Sequence, residues 1–167
     1  MATEIEHKYL VVNDSYKQLA IESHTVAQGY LSRDAERVVR VRVKDGDQGY
    51  LTVKGKGNGL ERPEFEYTIP TEDAKELLKL CLRPVISKTR YIVMHDGNRW
   101  EVDEFHDALQ GLTVAELEVP DAGYTFALPE FVGREVTDDP KYTNAALSAV
   151  AIDYVASHAL LQDAKQK

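Results

Sequence analysis

Between Arg37 and Lys44 the chain places Val39, Val41 and Val43 on one parity and Val38, Arg40, Arg42 and Lys44 on the other. A period of two belongs to a β-strand, whose successive side chains point to opposite faces of the sheet. The same period recurs from Glu4 to Val119, which limits the chain to a fold dominated by antiparallel strands. In Glu4–Val11, Glu4, Glu6 and Lys8 oppose Ile5, His7, Tyr9 and Val11. A polar stretch without clear period follows, and then Thr25–Leu31, with Gln28 and Tyr30 on one side. The turn Asp45–Gly49 makes Arg37–Lys44 a hairpin with Tyr50–Lys54, where Tyr50, Thr52 and Lys54 oppose Leu51 and Val53.

Glycine loses the most chain entropy on ordering, so Gly55–Gly59 is expected to be a mobile loop near one mouth of the structure. A fifth strand sets Glu64, Glu66 and Thr68 against Phe65, Tyr67 and Ile69 and stops at Pro70. Val85–Met94 carries Lys88 and Arg90 opposite Ser87, Thr89 and Tyr91, and the turn His95–Asn98 leads into Arg99–Phe105, where Glu101 and Asp103 share a face. Thr113–Val119 sets Glu116 and Glu118 against Ala115, Leu117 and Val119.

Helical spacing is confined to two places. Thr71 is the expected N-cap of a helix with Ala74, Leu77, Leu78 and Cys81 inward, closed by Pro84. Asn144 to Gln162 is expected as one long helix with Leu147, Val150, Ala151, Tyr154 and Val155 as its buried stripe, followed by a frayed tail. Asp121–Asp139 is expected as loop with one short helix near Tyr124. These elements predict a single α+β domain over residues 1–167 with about eight antiparallel strands.

The chain is 43% hydrophobic, yet it contains no apolar run near the roughly 20 residues a bilayer-spanning helix needs. Its acidic start has no signal-peptide pattern, so a soluble cytoplasmic protein is expected. Cys81, the one cysteine, excludes an internal disulfide and a multi-cysteine zinc site. A formal charge of −8 argues against nucleic acid as a partner. The five histidines are scattered, and both His7 and Trp100 alternate away from the charged face. That face collects carboxylate pairs and basic pairs two residues apart on strand after strand. It is either the wet side of an open sheet or the inside of a closed one, where acids hold divalent metal and bases hold phosphate oxygens.

The pattern resembles the CYTH superfamily, the triphosphate tunnel metalloenzymes, over nearly the whole chain. The shared features run in order: Glu4, Glu6 and Lys8 as an ExExK motif; Gln28–Leu31; Arg40 and Arg42; Lys54; Arg62 before Glu64 and Glu66; Lys88 and Arg90; Glu101 and Asp103; Glu116 and Glu118; and Lys141–Asn144. The resemblance implies a closed eight-stranded antiparallel β-barrel, or tunnel, with a few flanking helices. It implies Mg2+ or Mn2+ as cofactor and a small anionic substrate, most similar to the tripolyphosphate of short bacterial relatives. It assigns Lys8, Arg40, Arg42, Lys54, Lys88 and Arg90 to the phosphates. Glu4, Glu6, Glu64, Glu66, Asp103, Glu116 and Glu118 fall to metal, with Glu4, Glu6 and Lys8 as the catalytic set. No aromatic pocket for an organic group is evident in the sequence. Adenylate cyclase of class IV, thiamine or nucleoside triphosphatase, and a non-catalytic polyphosphate or nucleotide sensor are the alternatives, and a homodimer stays open.

Overall fold

The computed structural model describes residues 3–58, 60–151 and 153–166. Its strands are β1 (Thr3–Val11), β2 (Ala20–Ser32), β3 (Arg37–Lys44), β4 (Gln48–Gly55), β5 (Glu61–Ile69), β6 (Leu82–His95), β7 (Asn98–Phe105), β8 (Thr113–Glu118) and β9 (Val132–Glu135). The helices are α1 (Tyr16–Leu19), α2 (Thr71–Leu80), α3 (Asn144–Val150) and α4 (Tyr154–Ala164). The sheet runs β5-β4-β3-β2-β6-β7-β8-β1-β9, and β1 also pairs with β5. That last pairing, Glu4 opposite Arg62, closes eight antiparallel strands into a barrel, with β9 added along the far half of β1. No helix among the described residues is long and apolar enough to cross a membrane.

Alternation gives the barrel two chemically different faces. Outside, Tyr9, Trp100, Val102, Ala115 and Leu117 pack under Phe131 and α1's Tyr16. A second outer cluster, Val41, Val43 and Leu51, lies beneath Ala74, Leu77 and Leu78 of α2. Inside, the lumen parity turns apolar at one end, where Leu10, Ile86, Phe105 and Val114 meet Tyr142, Leu147, Leu160 and Ala164. This is a greasy plug, and α3 and α4 supply much of it.

The structure departs from the sequence periodicity in several places. The C-terminal helix is two helices, because the Asp153 carboxylate accepts from the Ala156 N–H at 3.1 Å and starts α4 afresh. The break rotates the buried stripe: Leu147 is buried and Val150 and Ala151 half-buried, while Val155 is 75% exposed and Leu160 and Ala164 take its place. The Tyr154 side chain lies outside the described residues. Thr71 is the first helical residue and not the cap, which falls on Pro70; its hydroxyl donates to the Asp47 carbonyl instead. The chain near Tyr124 makes a turn closed on Asp121, not a helix, and residues expected as loop form β9 on the free half of β1's edge. Of the glycine segment, Gly55 ends β4 and Asn58 bridges back to Glu61. Gly59 lies outside the described residues.

Gln28–Leu31 shows how closely the layers fit. Gln28 and Tyr30 point into the barrel and are fully buried, whereas Gly29 faces α2. A Cβ on Gly29 would sit 2.8 Å from the Cys81 Cβ, an atom fixed to the backbone that cannot swing aside. Gly29→Ala should therefore destabilise the protein by about 1–3 kcal/mol. Urea unfolding checks this through a lower midpoint at unchanged slope.

Candidate active site

Following the strands around the barrel sorts the inner charges. Carboxylates stand on β7, β8, β1 and β5, which are neighbours, and the arginines and lysines on β4, β3 and β6, which are contiguous through β2. The lumen therefore has an acidic arc facing a basic arc, with Lys8 set on the acidic side. A cavity of about 220 Å³ between them is lined by Glu4, Glu6, Glu64, Glu66, Glu116 and Glu118 opposite Arg40, Arg42, Lys54 and Arg90. Lys8 lines the adjoining space beside Glu4 and Glu6. The wet-sheet reading is excluded by this closure.

In the basic arc, neighbours hold each cation in place. Gln28 Oε1 accepts from Arg42 Nε at 3.1 Å and from its terminal nitrogen at 2.8 Å. Arg90 grips Asp103 with two bonds of 2.7 and 2.8 Å and reaches Glu101 at 3.0 Å. Lys88, 1% exposed, donates to the same Asp103 at 2.7 Å. Burial lowers the Lys88 ammonium to about 7, with Arg90 and Arg42 adding repulsion and Asp103 pulling back. Burial, then Arg40 and Arg90, lowers Arg42 to about 9. The Gln28 amide nitrogen and Arg40 Nε are buried donors without an acceptor among the described residues. Crowded cations and unmet donors are the environment that an anion relieves.

The acidic arc is uneven. Burial raises the Glu4 carboxyl, but Lys54 at 2.9 Å and Arg62 at 3.5 Å outweigh it and bring Glu4 to about 2. Glu116 is likewise brought to about 2, Lys8 at 3.7 Å being the largest force against its burial. Glu6 goes the other way: burial, then Glu116 and Glu4, hold it well above the carboxylate range. Glu6 is half-buried and lines both the lumen cavity and the space adjoining it. Glu6 sits directly across from Glu118, whose carboxyl is raised by burial, then by Glu4, Glu64 and Glu101. Like charges facing across strands are destabilising, and neither residue is ion-paired among the described residues.

Oxygen donors in that state suit a hard divalent cation. Glu6 and Glu118 fit one, and Glu4 and Glu116 beside them each keep one oxygen outside their ion pairs, although no three metal-binding side chains among the described residues already stand as a closed cage. Asp103 fits less well, because its oxygens are taken by Lys88 and Arg90. Glu64 is turned onto Lys54 at 3.0 Å, and Glu66 accepts from Thr52 at 2.9 Å near Arg40.

Gln28, Thr52 and Arg62 belong to the site's support without having been assigned a role from sequence. Parity could have found Gln28 and Thr52, which share a face with Tyr30 and Lys54. His7 is outside, bonded to Glu135 at 2.8 Å and packed on Phe126, and Trp100 is packing. A side cavity of about 320 Å³ was not evident from sequence. Tyr30, Ala35 and Val38 wall it against Ala145, Ala146 and Ala149 of α3, and it meets the lumen at Arg40 and Lys54.

A closed antiparallel tunnel with facing acidic and basic walls defines the class of protein. The sequence profile of the CYTH domain matches residues 2–143, and the chain belongs to the CYTH domain family. Membership implies dependence on a divalent metal ion. An inorganic triphosphatase of Acetivibrio thermocellus is 49% identical over 148 residues, covering 88% of this chain and 94% of its own. One from Nitrosomonas europaea is 33% identical over 150 residues, covering 87% and 97%. A crystal structure of an inorganic triphosphatase superposes with a TM-score of 0.63 at 30% identity, over 89% of this chain and 95% of that one.

The raised Glu6 carboxyl has a consequence for stability. Above the ordinary carboxylate range of about 4.5, an ionised Glu6 works against the folded state, and that cost disappears as pH falls below it. Metal-free Glu6→Gln should thus melt higher than the metal-free parent at pH 7, with the gap closing toward pH 4. Thermal unfolding in chelator across that range measures it.

Proposed function

We propose that the chain hydrolyses inorganic tripolyphosphate to pyrophosphate and phosphate, with water as nucleophile and Mg2+ or Mn2+ as cofactor. The single observation that carries this reading is the division of the lumen into facing arcs. A linear polyanion would lie along Arg40, Arg42, Lys54 and Arg90, which line the cavity, with Lys88, buried on Asp103, adding positive charge from within the wall; Glu4, Glu6, Glu116 and Glu118 would hold the divalent metal. Lys8, on the acidic side, meets the phosphoryl group that is transferred. Glu64 and Glu66 border the arcs and serve metal or hold Lys54 and Arg40. Asp103 fixes Arg90 and Lys88 at the basic wall, a better use of its filled oxygens than metal ligation.

Phosphoryl transfer asks a protein for positioning and charge stabilisation more than for a covalent partner. A bound divalent ion supplies charge neutralisation on phosphate oxygens and a lowered pKa for water. The residues do the rest. Arg90 is locked in a fork by Asp103, so it offers fixed donors without reorganising. Water's oxygen bonds to the terminal phosphorus, the bridging P–O bond breaks, and its electron pair leaves with pyrophosphate. The proton lost by the water passes to solvent. The single thiol Cys81, buried and free, suits a cytoplasmic setting.

The alanine-walled side cavity favours a second reading, in which the triphosphate carries an organic group. Phosphate release from tripolyphosphate, pyrophosphate, ATP and thiamine triphosphate, with cyclic AMP followed in parallel, separates the two. Tripolyphosphate should exceed ATP in kcat/KM by about a hundredfold, the worth of roughly 2 to 3 kcal/mol of charge-assisted contacts. Chelation should remove the activity, and Mg2+ or Mn2+ should restore it. Equal rates on ATP, or cyclic AMP as product, would transfer the assignment to nucleotides.

A further inference from the structure

Lys8 is held from outside the barrel. Its backbone N–H donates to Thr137 Oγ1 at 3.0 Å, and its carbonyl accepts from the Val136 N–H at 2.8 Å. Its ammonium donates to the Tyr142 carbonyl at 2.9 Å, whereas Glu116 stands 3.7 Å away, beyond hydrogen-bond length. A lysine ammonium rides on a flexible four-carbon stem, so the carbonyl is what fixes its position. Tyr142 ends the 3₁₀ turn Pro140–Tyr142 and is fully buried in the plug beside Leu147 and Leu160. Its hydroxyl donates to Asp163 Oδ2 at 2.6 Å. The same carboxylate takes Arg134 of β9 at 3.2 Å and Lys141 at 3.4 Å. One side chain near the end of α4 thus ties together the elements that carry the carbonyl facing Lys8. It lies beyond residue 143, where the match to the CYTH profile stops.

We infer that Asp163, acting through Tyr142, is a positioning residue for the Lys8 ammonium, so that the C-terminal helix sets lumen geometry from outside the lumen. The inference rests on the proposed role of Lys8 at the transferred phosphoryl group. A buried hydroxyl that loses its acceptor must find another or drag its turn outward. A displacement of about 1 Å at a catalytic group can cost on the order of a hundredfold in rate.

Two readouts test it on the full chain. The first is kcat and KM for tripolyphosphate; the second is the 15N-correlated signal of the Lys8 ammonium, identified by its loss in Lys8→Ala. Asp163→Ala and Tyr142→Phe should lower kcat by about ten- to a hundredfold with KM within about threefold, and should shift the ammonium signal. Asp163→Asn keeps an acceptor oxygen and should recover most of both. Ala159→Gly loosens α4 at an exposed position, and should lower the melting temperature while leaving kcat and the signal alone. An unmoved ammonium signal with parental kcat in Asp163→Ala and Tyr142→Phe would overturn the inference, as would an equal loss in Ala159→Gly. If the parent chain hydrolysed no triphosphate while the signal still moved, the functional reading would fall and the positioning would stand.

Discussion

The pairing of β1 with β5, which sets Thr3 against Pro63, Glu4 against Arg62 and Ile5 against Glu61, converts a charged sheet into a charged interior. Without it, Glu4 and Lys54 would face water and their attraction would be screened to little. With it they are buried 2.9 Å apart, and each offsets the desolvation of the other. The same logic holds for Lys88, Arg90 and Asp103 on the opposite wall. Because ions in a closed lumen must be matched, the barrel is stable only as a nearly balanced set. Among the described residues Glu6 and Glu118 on one arc and Arg42 on the other have no ion-pair partner, so in the proposed function they are where a cation and an anion would lower the free energy most.

The outer layers keep that set in register. α2 lies over β3 and β4, behind Arg40, Arg42 and Lys54, and the Trp100 cluster backs β1, β7 and β8. β1, β3, β4, β7 and β8 therefore have an apolar backing on their outer parity, so their charged parity cannot slip by a residue without exposing the core. The plug of Leu10, Phe105, Leu147 and Leu160 closes one end and keeps the lumen short. Repulsion of Glu6 by Glu116 and Glu4, and of Glu118 by Glu4, Glu64 and Glu101, is a cost that this packing carries.

Alternation made most of the strands and the parity of every charged pair legible in the sequence, because a period of two is a local property. The order of strands around the barrel is not local. Nothing between Ser32 and Leu82 announces that β2 pairs with β6, yet that pairing makes the basic arc continuous from Arg40 to Arg90. Parity puts Asp103 on the charged face and the family resemblance adds it to the metal set, but its capture by Lys88 and Arg90 depends on the β6–β7 register, which neither contains. Helical spacing runs without interruption from Leu147 to Val155, across the break between α3 and α4. The competing capping bond of Asp153 is one local contact that such spacing does not register. β9 is four residues long, too short for alternation to stand out.

Anomalous diffraction at the manganese edge, from crystals grown with Mn2+ and a non-hydrolysable tripolyphosphate analogue, bears most directly on the claim that the arcs divide the work. The account predicts manganese within coordination distance of carboxylate oxygens on β1 and β8, and phosphate oxygens on Arg40, Arg42 and Arg90 across the lumen. Manganese bound outside the barrel, or phosphates lying along the acidic arc with the basic arc still closed on its own carboxylates, would contradict it.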